Sequence, residues 1–217
     1  MSPAQQASRS REDRTVPLGE VCDIQSGMPA LKPDEYAAEG LPVIQPADLV
    51  GHRLTASPSR HVSVEDADRL ARYAVAVGDL LMTRSGTVGR VALTTPDEQG
   101  WLSGPSLIRL RVHAAGPADP EYLLAFLASS AAQRWILRAT AGSTIQHLSM
   151  RMLAELPVRL PGLPEQQRVG RMLRALDEKI RAHEDVVRAT RALRDALVDT
   201  MTSDDAPDAH DAGAGDR

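Results

Sequence analysis

The stretch PEQQRVGRMLRALDEKIRAHEDVVRATRALRDALVDTM, residues 164–201, has no proline after its first residue and one glycine, Gly170. That composition predicts a single long helix over 165–202, opened by Pro164, whose fixed φ suits a first helical turn, and by Glu165, favourable to the helix dipole. Eight basic and seven acidic side chains are interspersed over 165–200, while Val169, Leu173, Leu176, Ile180, Val187, Leu193 and Leu197 form a drifting apolar stripe. One greasy seam on an otherwise charged helix needs a partner. The seam docks on its own domain or meets another chain. A helix of about 36 residues is roughly 54 Å long, more than a domain of about 150 residues measures across, so a good part of the seam is expected to meet a second chain or a second helix.

Upstream, residues 15–164 hold thirteen of the fifteen prolines and several short apolar runs. VPLGEVCDIQSG (16–27), LPVIQPADLV (41–50), RHVSV (60–64), GDLLMTRSGTVGRVALTT (78–95) and SLIRLRVH (106–113) read as strands bounded by Gly, Pro and Asp. In the last, Leu107, Arg109 and Arg111 alternate with Ile108, Leu110 and Val112, which predicts a strand with one wet face. Residues 120–138 change period, with Leu123, Leu124, Leu127, Ala131 and Trp135 recurring at three and four, and predict one core-facing helix. The expected class is α+β: a mixed-strand domain over 15–164, followed by the helix. Residues 1–14 and 203–217 are too polar to offset their ordering entropy and are expected to be disordered tails.

The 217 residues carry 25 Lys and Arg against 29 Asp and Glu. Residues 201–217 account for the whole net charge of −4, and the body is neutral. Within it, 15–79 hold five basic and ten acidic residues and 80–160 hold eight and five, so the second half is the better surface for a polyanion. Aromatics, 3% of the chain, are too sparse for stacking platforms, which points any nucleic-acid partner toward duplex. One cysteine, Cys22, permits no internal disulfide and suits a reducing cytoplasm. No apolar run approaches the ~18–20 residues of a membrane span.

Catalytic motifs do not emerge. Dinucleotide and P-loop glycine patterns, a Gly-x-Ser-x-Gly elbow and the Asn/Asp-Pro-Pro-aromatic motif of adenine methyltransferases are all missing. His183-Glu184 opens like a zinc helix, but Val187 stands where the second histidine belongs. No metal or cofactor is expected, and any chemistry would belong to another subunit. A hydrolase site assembled from distant residues is a weaker reading.

Four ordered segments, VPLGEVCDIQSGMP (16–29), GDLLMTRSGTVGRVAL (78–93), AGSTIQHLSMRMLAELPVRLPGLPEQQRV (141–169) and the helix from Glu165, resemble the specificity subunit of type I restriction-modification systems. That subunit carries two recognition domains and two helices in tandem, whereas this chain has one of each, so the resemblance implies a half-length form. It also implies a non-catalytic, cytoplasmic reader of double-stranded DNA that directs an adenine-specific DNA methyltransferase to its site, in an assembly that a motor-nuclease restriction subunit can join. Two copies would pair as a homodimer through an antiparallel coiled coil of 165–202, so that the site is bipartite and palindromic.

The first candidates for DNA contact are Arg84, Ser85, Gly86, Thr87 and Arg90. Arginine can contact phosphate or guanine bidentately, hydroxyls can donate to phosphate, and glycine permits close backbone approach. Lys32 and Arg109 come next. Thr144 and Gln146, in GSTIQHLS, can hydrogen-bond either DNA or the protein's own backbone. The rival reading is an interaction protein that docks on a methyltransferase through its helix without reading DNA.

Overall fold

The structure is a computed structural model that describes residues 14–141 and 147–203. The chain divides into two compact units, residues 1–174 and 175–217. The expected tails, apart from Ser203 and from Arg14, which opens the first strand, lie outside the described residues.

In the first unit, the central sheet has four antiparallel strands in the order β2 (Cys22–Ser26), β10 (Leu107–Val112), β7 (Leu80–Thr83) and β8 (Val91–Leu93). β3 (Leu41–Ile44) lies between antiparallel β6 (His61–Val62) and parallel β9 (Leu102–Ser103). β4 (Leu49–Val50) pairs with β5 (Arg53–Leu54). β1 (Arg14–Pro17) pairs with β11 (Pro157–Leu160), joining the two ends of the domain. The helices are α1 (Ala67–Leu70), α2 (Pro120–Ala128), α3 (Ser130–Thr140), α4 (Met150–Ala154) and α5 (Leu163–Ser203). The runs read as strands each contain strands, while β5, β9 and β11 went unforeseen.

Side-chain alternation gives the central sheet two cores. Leu80, Met82, Val91, Ile108 and Leu110 face α2, α3 and α4 through Leu123, Leu127, Ile136 and Leu153. Leu81, Ala92 and Leu107 face the opposite way, into a core with Ile44, Leu49 and Val75. This corrects the expected wet face of β10: Leu107 is fully buried and Arg109 is 9% exposed. The period of two is real, but β3 and β4 cover Leu107 and the segment 72–79 covers the arginines on that face. Cys22 also lies inside, where burial, reinforced by Asp23, pushes its thiol up to about 12.

The helix expected over 120–138 is two. Ser129 leaves the helical region (φ −63°, ψ 150°), and its hydroxyl accepts from the Ala132 N–H to cap α3. The apolar spacing runs through the break because both helices cover the same sheet face.

α5 spans 41 residues, and its first turns are locked to the domain. Gln166 is fully buried. Its Nε2 donates to the carbonyls of Pro117 (2.8 Å) and Pro161 (2.7 Å), and its Oε1 accepts from the Asp119 N–H at 2.9 Å. Gly170 is needed for close approach: a Cβ there would meet the Glu121 Cβ at 2.8 Å. Arg174 reaches Glu121 at 2.7 Å.

Candidate nucleic-acid interface

β7 and β8 form a hairpin whose connection carries the leading sequence candidates. The buried Thr83 hydroxyl shapes it, donating to the Thr87 carbonyl at 2.5 Å and accepting from the Arg90 N–H at 3.0 Å. The Gly89 N–H donates to the Thr83 carbonyl. Gly86 (φ 72°) and Gly89 (φ 90°) take left-handed conformations that side-chain-bearing residues adopt at a cost. With these constraints, Gly86 and Thr87 stand exposed at the tip. Nothing lies within 4 Å of where a Gly86 Cβ would be, so the tip is open to a ligand.

Two braces hold the tip. Ser85 bridges to His147, and the Leu148 N–H donates to the Arg84 carbonyl at 2.9 Å. On the other side, the Gln133 amide donates to the Gly89 carbonyl at 2.9 Å.

Arg84 leaves the hairpin root sideways. Its Nη1 donates to the Ser26 hydroxyl at 2.7 Å, and its Nε is buried without a hydrogen-bond partner. The half-buried guanidinium lines a cleft of about 770 Å³ between the hairpin root and residues 24–30, along with Arg72, Tyr73, Ser106 and Met150. Lys32 is exposed two residues beyond the cleft wall, at the start of the turn Pro33–Glu35. Its backbone N–H donates to Glu35 at 2.7 Å.

Arg90 and Arg109 have other geometries. Arg90 donates through Nη2 to the Leu49 carbonyl, fastening the hairpin to β4. Arg109 is enclosed, donating to the Ala74 carbonyl at 2.6 Å and to Gln25. Desolvation, followed by repulsion from Arg111, holds its pKa below the usual guanidinium value. Arg111 makes a two-pronged bond to buried Asp79, at 2.8 and 2.7 Å, which raises its pKa. Thr144 and Gln146 lie outside the described residues.

The structure thus sets Arg84 in the cleft wall and Gly86-Thr87 at an exposed tip next to it, ties half-buried Arg90 to β4 and encloses Arg109. Ser26 and Arg72 were not singled out from sequence. Ser26 stood inside the 16–29 motif, but its pairing with Arg84 spans 58 residues. Among the described residues, no group of three or more His, Cys, Asp or Glu could hold a metal ion, and no helix is long and apolar enough to cross a membrane.

Along α5, Val169 and Leu173 are half-buried, while Leu176, Ile180, Val187, Leu193 and Leu197 are exposed. Met172, Val186, Val198 and Met201 widen the exposed apolar set.

A sheet-rich domain with a braced hairpin, followed by a long helix, is the arrangement of a known class. Residues 12–187 match the family described as type I restriction modification DNA specificity domain, and the chain belongs to that family. Solved structures share the fold. One, from work on complex assembly and conformational transition of the type I R-M system, has 24% identity and a TM-score of 0.63 over 86% of this chain and 43% of its own. The HsdS subunit from Thermoanaerobacter tengcongensis has 24% identity and a TM-score of 0.58 over 79% of this chain and 39% of its own. The type I restriction-modification S subunit from M. genitalium has 17% identity and a TM-score of 0.64 over 89% of this chain and 46% of its own. The chain thus spans less than half the length of each of these matched structures. No curated protein matches it by sequence.

Proposed function

We propose that this chain is a non-catalytic reader of double-stranded DNA in a type I restriction-modification complex. One domain reads one half of a bipartite site, and the complex's adenine-specific methyltransferase modifies it. A motor-nuclease subunit joins the same assembly when the system restricts. The observation that carries the reading is the hairpin: an open Gly86-Thr87 tip beside an arginine whose guanidinium is aimed into a cleft by Ser26.

The physical logic follows from what recognition needs. Phosphate contacts set register, and base-edge contacts set identity. Ser85 and Thr87 supply hydroxyls, and the Gly86 tip lets backbone approach closely. A guanidinium with one edge already hydrogen-bonded offers its other donors to a base at little conformational cost. Arg90 and Arg109 serve by holding the hairpin and the sheet in place. Lys32 is positioned to meet a phosphate at the far rim of the cleft. Thr144 and Gln146 belong to the connection between the braced segment and α3 and remain part of the proposed contact set.

The exposed stripe from Leu176 to Leu197 is the proposed pairing surface, antiparallel with the same helix of a second copy, and the bipartite site then has two-fold symmetry. Val169 and Leu173, half-buried already, sit at its margin.

The test is Arg84→Ala in the complex assembled with the methyltransferase. Site-specific binding or methylation should weaken by about 1–3 kcal/mol, as for loss of a base-reading arginine. Methylation unchanged in rate and sequence moves the contact elsewhere.

A further inference from the structure

Arginines in this chain differ in what they face. Arg111 meets Asp79 at 2.7 Å, Arg168 meets Glu165 at 2.6 Å, Arg174 meets Glu121 at 2.7 Å and Arg188 meets Asp185 at 2.5 Å. Arg134 and Arg138 on α3 have no carboxylate within ion-pair distance among the described residues, and both are exposed. They stand one turn apart, a spacing at which like charges destabilise a helix. The sequence offers no local relief: residues 122–154 contain three arginines, Arg134, Arg138 and Arg151, and no Asp or Glu.

The helix itself adjoins the reading hairpin. Gln133, the neighbour of Arg134, makes the brace to Gly89, and also donates to the Leu127 carbonyl at 2.7 Å. Beyond α3 the chain returns at His147 to bridge Ser85. The helix that braces the hairpin therefore carries two uncompensated, exposed cations, the first of them next in sequence to the bracing glutamine.

We infer that Arg134 and Arg138 are phosphate clamps that hold the DNA backbone beside the bases the hairpin reads. The inference rests on the DNA-reading proposal above. Four residues of helix rise about 6 Å, roughly two steps of one DNA strand at ~3.4 Å of duplex axis each, so the two guanidinium groups are spaced to meet different phosphates. Contacts of this kind contribute affinity and register but no base identity.

The test measures duplex binding by the full chain, alone and assembled with its methyltransferase, against salt concentration, using a duplex that contains the methylated motif and one of scrambled sequence. The double variant Arg134→Gln/Arg138→Gln should lower the slope of log affinity against log salt by about two. Affinity for both duplexes should fall by the same factor, leaving their ratio unchanged. Arg134→Lys/Arg138→Lys should keep the wild-type slope. Arg188→Gln/Arg191→Gln, which makes the same change in net charge on α5, should also keep it. All four positions are exposed, and far-UV circular dichroism verifies that each variant is folded.

If wild type binds and the glutamine variant keeps its full slope, the clamp is overturned while the reader stands. A loss confined to the motif duplex overturns it too, because that outcome belongs to a base contact. If wild type binds neither duplex in either state, the DNA-reading proposal fails and the clamp falls with it.

Discussion

Residues 163–174 and 175–203 belong to one helix and carry the same kind of sequence, yet they meet opposite fates. In the first stretch Gln166 is sealed by three hydrogen bonds, Gly170 lets α2 approach, and Val169 and Leu173 are half-buried. In the second, large apolar side chains such as Ile180 (55% exposed) and Leu193 (62%) stay in solvent. The lesson is that an apolar stripe reports a demand for burial without naming what satisfies it. In the first stretch the polar anchor and the glycine identify the domain itself as the partner. Beyond Arg174 the described residues show no comparable polar anchor, and Leu176, Ile180, Val187, Leu193 and Leu197 are exposed.

The comparison can be broken hardest from inside the domain. Asp79→Ala leaves Arg109 and Arg111 without their carboxylate, and the unfolding free energy should drop by about 3–5 kcal/mol. Urea denaturation followed by circular dichroism reads the loss. A cost under about 1 kcal/mol would show that the arginines find water instead.

Gln166→Leu strikes the lock on α5. It strands the Asp119 N–H and the carbonyls of Pro117 and Pro161, and should destabilise the domain by about 2–3 kcal/mol in the same assay. An unaltered midpoint would mean that the first turns of α5 are held by packing alone.

Leu176→Asp/Ile180→Asp sharpens the contrast from the other side. Both side chains are exposed, so the stability of the domain should change by no more than about 0.5 kcal/mol. The proposed pairing should nevertheless be lost, with wild type sedimenting as a dimer at micromolar concentration and the variant as a monomer. Wild type sedimenting as a monomer removes the pairing surface from the account.

The smallest expected effect is at Cys22. With its thiol pushed up to about 12, the native protein should resist a thiol reagent at pH 8 and react only after denaturant is added. Rapid labelling of the native protein would show that β2 opens on the labelling timescale.

Much of this architecture was legible because it follows from local chemistry. The period of two in 106–113 and the uninterrupted 164–201 each produced the element that was expected. Ser129 was harder, since a serine within an apolar period of three and four reads as an ordinary helical position. Its role as a cap depends on a backbone bend that the spacing does not record. Arg109 was misplaced for a different reason: alternation shows that a strand has two faces, but the wetness of a face depends on what folds over it. Arg84 and Ser26, 58 residues apart, illustrate the same limit at the interface.

By itself the sequence determined the class of fold, the start and extent of the long helix, strands within the run 78–95, and the resemblance that family membership then supported. Those features depend on hydrophobic period, turn chemistry and the order of short motifs, all written along the chain. Tertiary structure alone decided which arginines face outward and which are enclosed, and how the first turns of α5 are locked to the domain. Burial and pairing are properties of residues distant in sequence, set by the layer that closes over each face.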